Sequence, residues 1–147
     1  MAIPTADARA LLQSNALVHL VTVNSDGSPQ VSCVWVGVDG DEIVIGHMQR
    51  RLKVRNVERD DRVVMSVEGP GFNERRLREY LVVHGRARVQ EGGAAALLQE
   101  LAHVYLGPEV IFPPLEFDAP GYVMRITPER LGGVGPWISG QARPGSR

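Results

Sequence analysis

The chain has 147 residues, enough for one domain with a buried core. Hydrophobic residues make up 44% and charged residues 22%, the balance of a soluble globular protein, and no run of 18 apolar residues offers a membrane span. The net charge of −1 gives no general reason to expect a nucleic-acid partner.

The N-terminal stretch Met1-Ala2-Ile3-Pro4-Thr5-Ala6-Asp7 lacks the basic and apolar segments of a secretion signal, so a cytoplasmic setting is expected. Cys33 is the only cysteine, which excludes an intramolecular disulfide; the residue reads as a small core hydrophobe. His19, His47, His84 and His103 show no ligand spacing, so no metal is expected. Charge is unevenly spread. Residues 50–88 hold 11 of the 16 Lys/Arg against 6 of the 17 Asp/Glu, and the remainder holds 5 against 11. An anion-binding groove and a solvated basic face both fit that asymmetry.

In chain order, residues 5–14 predict a short helix that starts near Thr5 or Asp7 and buries Leu11 and Leu12. Residues 17–23 and 30–38 predict two strands, separated by the turn Asn24-Ser25-Asp26-Gly27 and with Pro29 where the second begins. Asp39-Gly40 is a hairpin signal, and 42–47 predict a third strand. Leu52, Val54 and Val57, set among Arg50, Arg51, Lys53, Arg55, Glu58 and Arg59, predict a short helix ending at Asp60-Asp61. Residues 62–68 predict a fourth strand, broken by Gly69-Pro70-Gly71 before an Arg-rich loop to about residue 78. Residues 79–90 predict a fifth, with Gly85 marking a bulge or a close backbone approach. Residues 94–106 predict the longest helix, 107–120 a Pro-rich loop, 121–127 a sixth strand and 130–135 a seventh weakened by glycines. The tail from Ser139 reads as disordered, leaving one domain over 1–138. Short strands, hairpin turns and few helices together predict a mostly β, α+β chain: a six- to seven-stranded antiparallel barrel with short flanking helices.

The residues with chemistry to offer cluster at the junction of the third strand and the basic helix: Gly46, His47, Met48, Gln49, Arg50, Arg51, Lys53 and Asn56. A helix start presents free N–H groups and the positive end of a dipole, and Arg or Lys beside it adds charge-assisted hydrogen bonds to a phosphate. Arg75, Arg76 and Arg78 form a second basic group, suited to an extended anionic tail or simply to solvent. Trp137, after Gly132-Gly133-Val134-Gly135-Pro136, reads as a ring that stacks on a planar ligand or anchors an interface.

Several segments carry a resemblance to a known family. They are Val21-Thr22-Val23 to Gly27-Ser28-Pro29-Gln30, Arg51-Leu52-Lys53-Val54-Arg55-Asn56-Val57 with Asp60-Asp61-Arg62-Val63, Gly85-Arg86-Ala87, and Ile126-Thr127-Pro128-Glu129-Arg130 with Gly133-Val134-Gly135-Pro136-Trp137. In this order they resemble the split β-barrel proteins related to pyridoxamine 5'-phosphate oxidase, and most of all the actinobacterial branch that binds the deazaflavin coenzyme F-420.

The resemblance implies a cytoplasmic homodimer with cofactor sites between subunits, working as an F-420-dependent reductase on an activated double bond of a planar organic or tetrapyrrole substrate. It implies Lys53 as the main phosphate ligand with Arg51 helping, and the segment from His47 to Lys53 around the phosphate and ribityl chain. Gln30, Ser32 and Val34 would lie under the ring, Tyr80 would be a further cofactor contact, Trp137 or its neighbours would close the site from the partner subunit, and Arg75, Arg76 and Arg78 would attract the oligoglutamate tail. Solvent, Tyr80 and His47 are the candidate proton sources, and no catalytic acid is assigned. FMN is the alternative cofactor, and an FMN-dependent oxidase or reductase or a non-catalytic carrier the alternative functions. The family's FMN enzymes carry basic residues where this chain has Val31, Ser32, Cys33, Val34 and Trp35, which weighs against FMN. His47 departs from the F-420 branch, which usually has a small hydroxyl residue there.

Overall fold

A computed structural model describes residues 5–112 and 119–138. The expected tail from Ser139 and residues 113–118 of the Pro-rich loop, with Glu116 and Asp118, lie outside the described residues. The elements run α1 (Ala6–Leu12), β1 (Val18–Val23), β2 (Pro29–Val34), β3 (Gly37–Asp39), β4 (Glu42–His47), α2 (Leu52–Arg59), β5 (Arg62–Phe72), β6 (Arg78–Glu91), α3 (Ala94–Tyr105) and β7 (Tyr122–Val134). The strands form one sheet in the order β2-β1-β5-β6-β7-β4-β3, every pairing antiparallel.

The sheet closes on itself because of how its two edges are joined. β2 and β3 are the outermost strands, yet only Trp35 and Val36 separate them in the chain. Three residue steps span about 10 Å at most, so the two edges stand side by side. The one strand expected over 30–38 is therefore two strands on opposite edges. Aromatic packing holds the crossing in place. Trp35 stacks on Tyr105 with ring centroids 5.4 Å apart, and the Tyr105 hydroxyl donates to the Ala16 carbonyl (3.1 Å) while accepting from the Val36 N–H (3.2 Å).

Period-two alternation fills the interior. Val18 and Leu20 of β1, Val63, Met65 and Val67 of β5, Leu81 and Val83 of β6, Met124 and Ile126 of β7, and Ile43 and Ile45 of β4 all point into one core. α3 covers the other face of β4, where glycine allows the approach: a Cβ on Gly46 would come within 2.8 Å of Leu98 Cγ. Thr5 caps α1, accepting from the Ala8 N–H at 3.0 Å.

Two further expectations change. Gly69-Pro70-Gly71 does not end β5; the strand runs on to Phe72 through an irregularity in register between Glu68 and Phe72, which is where a proline is tolerated. The Arg-rich loop shrinks to a hairpin tip at 73–77. The sixth and seventh expected strands are one, β7, and its register shift opposite His84 and Gly85 accommodates Pro128.

Trp137 is core. It is 4% exposed, its ring lies against Gly69, and its indole N–H donates to the Tyr80 carbonyl at 3.0 Å. Cys33 is not core but sits on the exposed outer face of β2. Trp137→Ala is expected to cost about 3–5 kcal/mol in chemical denaturation of the ligand-free protein. A ring that served only as a lid over a ligand would leave that midpoint unmoved.

Candidate functional site

α2 begins at Arg51, whose backbone is extended and whose side chain does not cap the helix; its first turn holds no acidic residue. The first N–H groups therefore stay available to an outside anion. Around this start lies a cavity of about 380 Å³ lined by Gln30, Arg51, Leu52, Lys53 and Arg55. It adjoins a second of about 530 Å³ that shares Leu52 and Arg55 and adds Asn24, Ser25, Asp26, Asn56 and Arg59. Arg51, Arg55 and Arg59 are four residues apart and share a helix face.

The electrostatics single out Lys53. Several arginines are spoken for: Arg50 meets Glu58 at 2.7 Å, Arg62 meets Asp60 at 2.7 Å, Arg86 meets Asp61 at 2.7 Å, and Arg88 pairs with Glu42. Among the described residues no carboxylate pairs with Arg51 or Lys53. Lys53 is half-buried, and desolvation first, then the Arg51 charge, hold its pKa below the usual lysine value. A partly dehydrated cation beside a second one is poised to gain from an arriving anion.

The helix is anchored from beneath. Asn56 is fully buried, and its amide donates to Thr22 Oγ1 (3.0 Å) and Asn24 Oδ1 (2.9 Å). Thr22 in turn donates to Gln30 Oε1 at 3.0 Å, so one chain of neutral hydrogen bonds ties α2, β1 and the cavity wall together. Asn56, expected to share the phosphate-facing side with Arg50 and Lys53, is the anchor below it.

His47 ends β4, pointing the same way as Ile43 and Ile45. It is 7% exposed and neither ring nitrogen has a hydrogen-bond partner. Burial, with the Lys53 charge adding to it, pushes its pKa down to about 4. The imidazole is therefore neutral at pH 7 and holds no extra proton to give. The buried Ser32 hydroxyl is also unpartnered.

Gln30, Arg51 and Lys53 thus meet at one cavity, with His47 close enough to feel the Lys53 charge. Met48 is half-buried and Gln49 and Arg50 are exposed, Arg50 held by Glu58. Gly46 serves the packing of α3, and Val34 is 6% exposed inside the barrel core. The open face of β2 is the other one, bearing Val31 and Cys33.

Arg78, Tyr80 and Trp137 lie elsewhere. Gln30 pairs with Thr22, next to Val21, which pairs with Val64, whereas Tyr80 pairs with Glu68 and Arg78 with Phe72. At about 3.3 Å per residue along β6, Tyr80 and Arg78 stand roughly 17 and 23 Å farther along the sheet. Within one subunit they do not join the Lys53 cavity. Arg78 instead donates to the Gly69 carbonyl (3.2 Å) and stacks over Phe72, at the edge of a separate cavity of about 620 Å³ under α1. Arg55, Arg59 and Tyr122 were not among the expected site residues. The i, i+4, i+8 spacing of Arg51, Arg55 and Arg59 was a readable signal. Tyr122, opposite His47 in the ladder, had none.

Residues 4–134 match the pyridoxamine 5'-phosphate oxidase family. The chain belongs to that family. A solved F-420 reductase is 28% identical, with a TM-score of 0.70, and the similarity covers 88% of this chain and 98% of that one. Two structures below 25% identity share the pyridoxamine 5'-phosphate oxidase-like fold. One is an FAD-binding protein from Mesorhizobium loti (19% identity, TM-score 0.62, 88% and 94% covered); the other is a heme-binding protein from Mycobacterium smegmatis (23%, 0.62, 94% and 56%). No curated protein matches the chain. Among the described residues no helix is long and apolar enough to cross a membrane, and no His, Cys, Asp and Glu side chains group to hold a metal. Family members of this fold include oxidoreductases that use a flavin or a deazaflavin.

Because His47 binds fewer protons folded than unfolded between about pH 6.5 and 4, stability falls as pH drops through that window. The loss approaches about 3 kcal/mol below pH 4. Denaturant midpoints measured from pH 7 to 4 should show this slope, and His47→Gln should flatten it.

Proposed function

We propose that this chain is an F-420-dependent reductase that holds the phosphate of the coenzyme at the start of α2. The observation that carries the reading is Lys53: half-buried, without a carboxylate partner, beside Arg51 at an uncapped helix start. The donor set fits a phosphate diester or monoester: two cations, free backbone N–H groups and the Gln30 amide, whose orientation Thr22 fixes. The similarity to an F-420 reductase over nearly the whole chain supports the deazaflavin.

When bound, the reduced coenzyme supplies a hydride for an activated double bond in a planar organic or tetrapyrrole acceptor. The protein's share is positioning and electrostatics. Lys53 and Arg51 fix the phosphate end. The stripe Arg55–Arg59 offers an anionic tail a path that the distant Arg75 and Arg76 do not offer in the same subunit. In the ligand-free protein His47 is neutral, and solvent is the favoured proton source in this reading.

The reading includes a homodimer. The outer sheet face bears Val31, Val21, Val64 and Val82 in adjoining rows, with Val31 61% exposed and Tyr80 42% exposed. A second copy packed there in the opposite sense brings its own Tyr80 end toward the first copy's Lys53 end. A reducing cytoplasmic setting suits the exposed Cys33 thiol.

Side-by-side titration of the apo-protein with oxidised F-420 and with FMN tests the cofactor. Micromolar or tighter F-420 binding with much weaker FMN binding is expected; the reverse order assigns the chain to the flavin branch. Lys53→Ala should weaken F-420 binding roughly ten- to a hundredfold, and unchanged affinity rejects the site. Val31→Lys leaves a monomer intact but should dissociate the dimer in sedimentation; a monomeric wild type removes that part of the reading.

A further inference from the structure

We propose that His47 is a hidden second cation of this pocket: its imidazole takes up one proton from solvent when a phosphoryl or sulfate-like dianion docks beside Lys53. The inference rests on the anion site described above and adds a proton to its binding equilibrium.

Geometry raises the question. Two ring nitrogens without a full hydrogen bond at 7% exposure are an unusual arrangement, since burying a polar group without a partner is costly. Short of a full hydrogen bond, the Ile45 backbone favours a charged ring, and burial and the Lys53 charge outweigh it. From α2 the ring feels Lys53, with Arg51 beyond it; from β7 it faces Tyr122, opposite in the ladder; on the far side of β4, α3 sets Ala94 and Leu98 near Gly46, with Leu97, Leu101 and Glu100 lining a cavity by Val44. Cys33 of β2 is close enough to act on Lys53. Among the described residues no carboxylate acts on the ring.

In the free protein, burial and the Lys53 charge both oppose an imidazolium, so the ring stays neutral. A dianion at Lys53 and Arg51 reverses the sign of the local field. The cost of protonation then falls, and the imidazolium adds its own attraction to the anion. Binding and protonation become linked: each tenfold gain in proton affinity on binding is a tenfold gain in anion affinity at low pH. No bond forms or breaks other than N–H, and the proton comes from water or buffer.

Sulfate is the probe, because its charge is constant from pH 5 to 8. Calorimetric titration at fixed ionic strength, in two buffers of different ionisation enthalpy, reads affinity and proton uptake together. The expected result is about tenfold tighter binding at pH 5.5 than at pH 8.0, with uptake approaching one proton per sulfate at the lower pH. His47→Gln should keep the pH 8.0 affinity and lose both the uptake and the pH dependence, while Lys53→Ala should weaken binding at every pH. Sulfate binding that needs Lys53 but takes up no proton, or uptake that persists in His47→Gln, overturns the role of His47 and leaves the anion site standing. Absent binding, or binding indifferent to Lys53→Ala, overturns the site itself. If His47→Gln does not fold, the wild-type His47 ring resonance decides. Its titration midpoint should rise by at least one pH unit with sulfate, and an unmoved midpoint overturns the inference.

Discussion

Everything else in this molecule depends on the short step from β2 to β3. With only Trp35 and Val36 between the two edge strands, a seven-stranded sheet has no choice but to curl until its edges meet. Closure gives an inside, filled by the alternate residues of β1, β4, β5, β6 and β7. It also gives ends that must be covered. α2 covers one end and brings its uncapped start with it; Trp137 fills the region near the other. The proposed anion site is therefore a by-product of closing a barrel with a helix too short and too basic to bury itself.

The placement of the polar groups follows. A helix resting on a barrel mouth needs something to bind it to the sheet, and here that something is neutral. Asn56, Thr22, Asn24 and Gln30 exchange hydrogen bonds without a carboxylate among them. Arg51 and Lys53 consequently have no carboxylate partner among the described residues, whereas cations on the outer surface of the barrel are paired off with Glu42, Asp60 and Asp61. The same fold thus sorts its arginines into structural and available sets.

Much of this was legible in the sequence. β-branched runs and turn residues located the strands, and the basic segment after His47 marked the helix start, because both are local signals. The misreadings came from tertiary geometry. Residues 30–38 carry one unbroken β pattern, and nothing local says that its two halves belong to opposite edges. Gly69-Pro70-Gly71 reads as a break, yet an irregular register lets β5 pass through. Trp137 among glycines read as a ligand-stacking ring or an interface anchor; Gly135, where a Cβ would collide with the indole, lets it into the core. Register also separates Arg78 and Tyr80 from Lys53, a distance that spacing along the chain does not encode.

The neutral anchor beneath α2 has a kinetic consequence. Since Arg51, Lys53, Arg55 and Arg59 are not offset by carboxylate partners on their own helix face, their combined field reaches beyond the cavity into solvent. Such a field captures a charged ligand before it touches the surface and turns its anionic end toward the helix. Capture then proceeds fastest in dilute buffer and slows as added salt shortens the range of the field, while the hydrogen-bonded scaffold that holds the docked ligand is left unchanged.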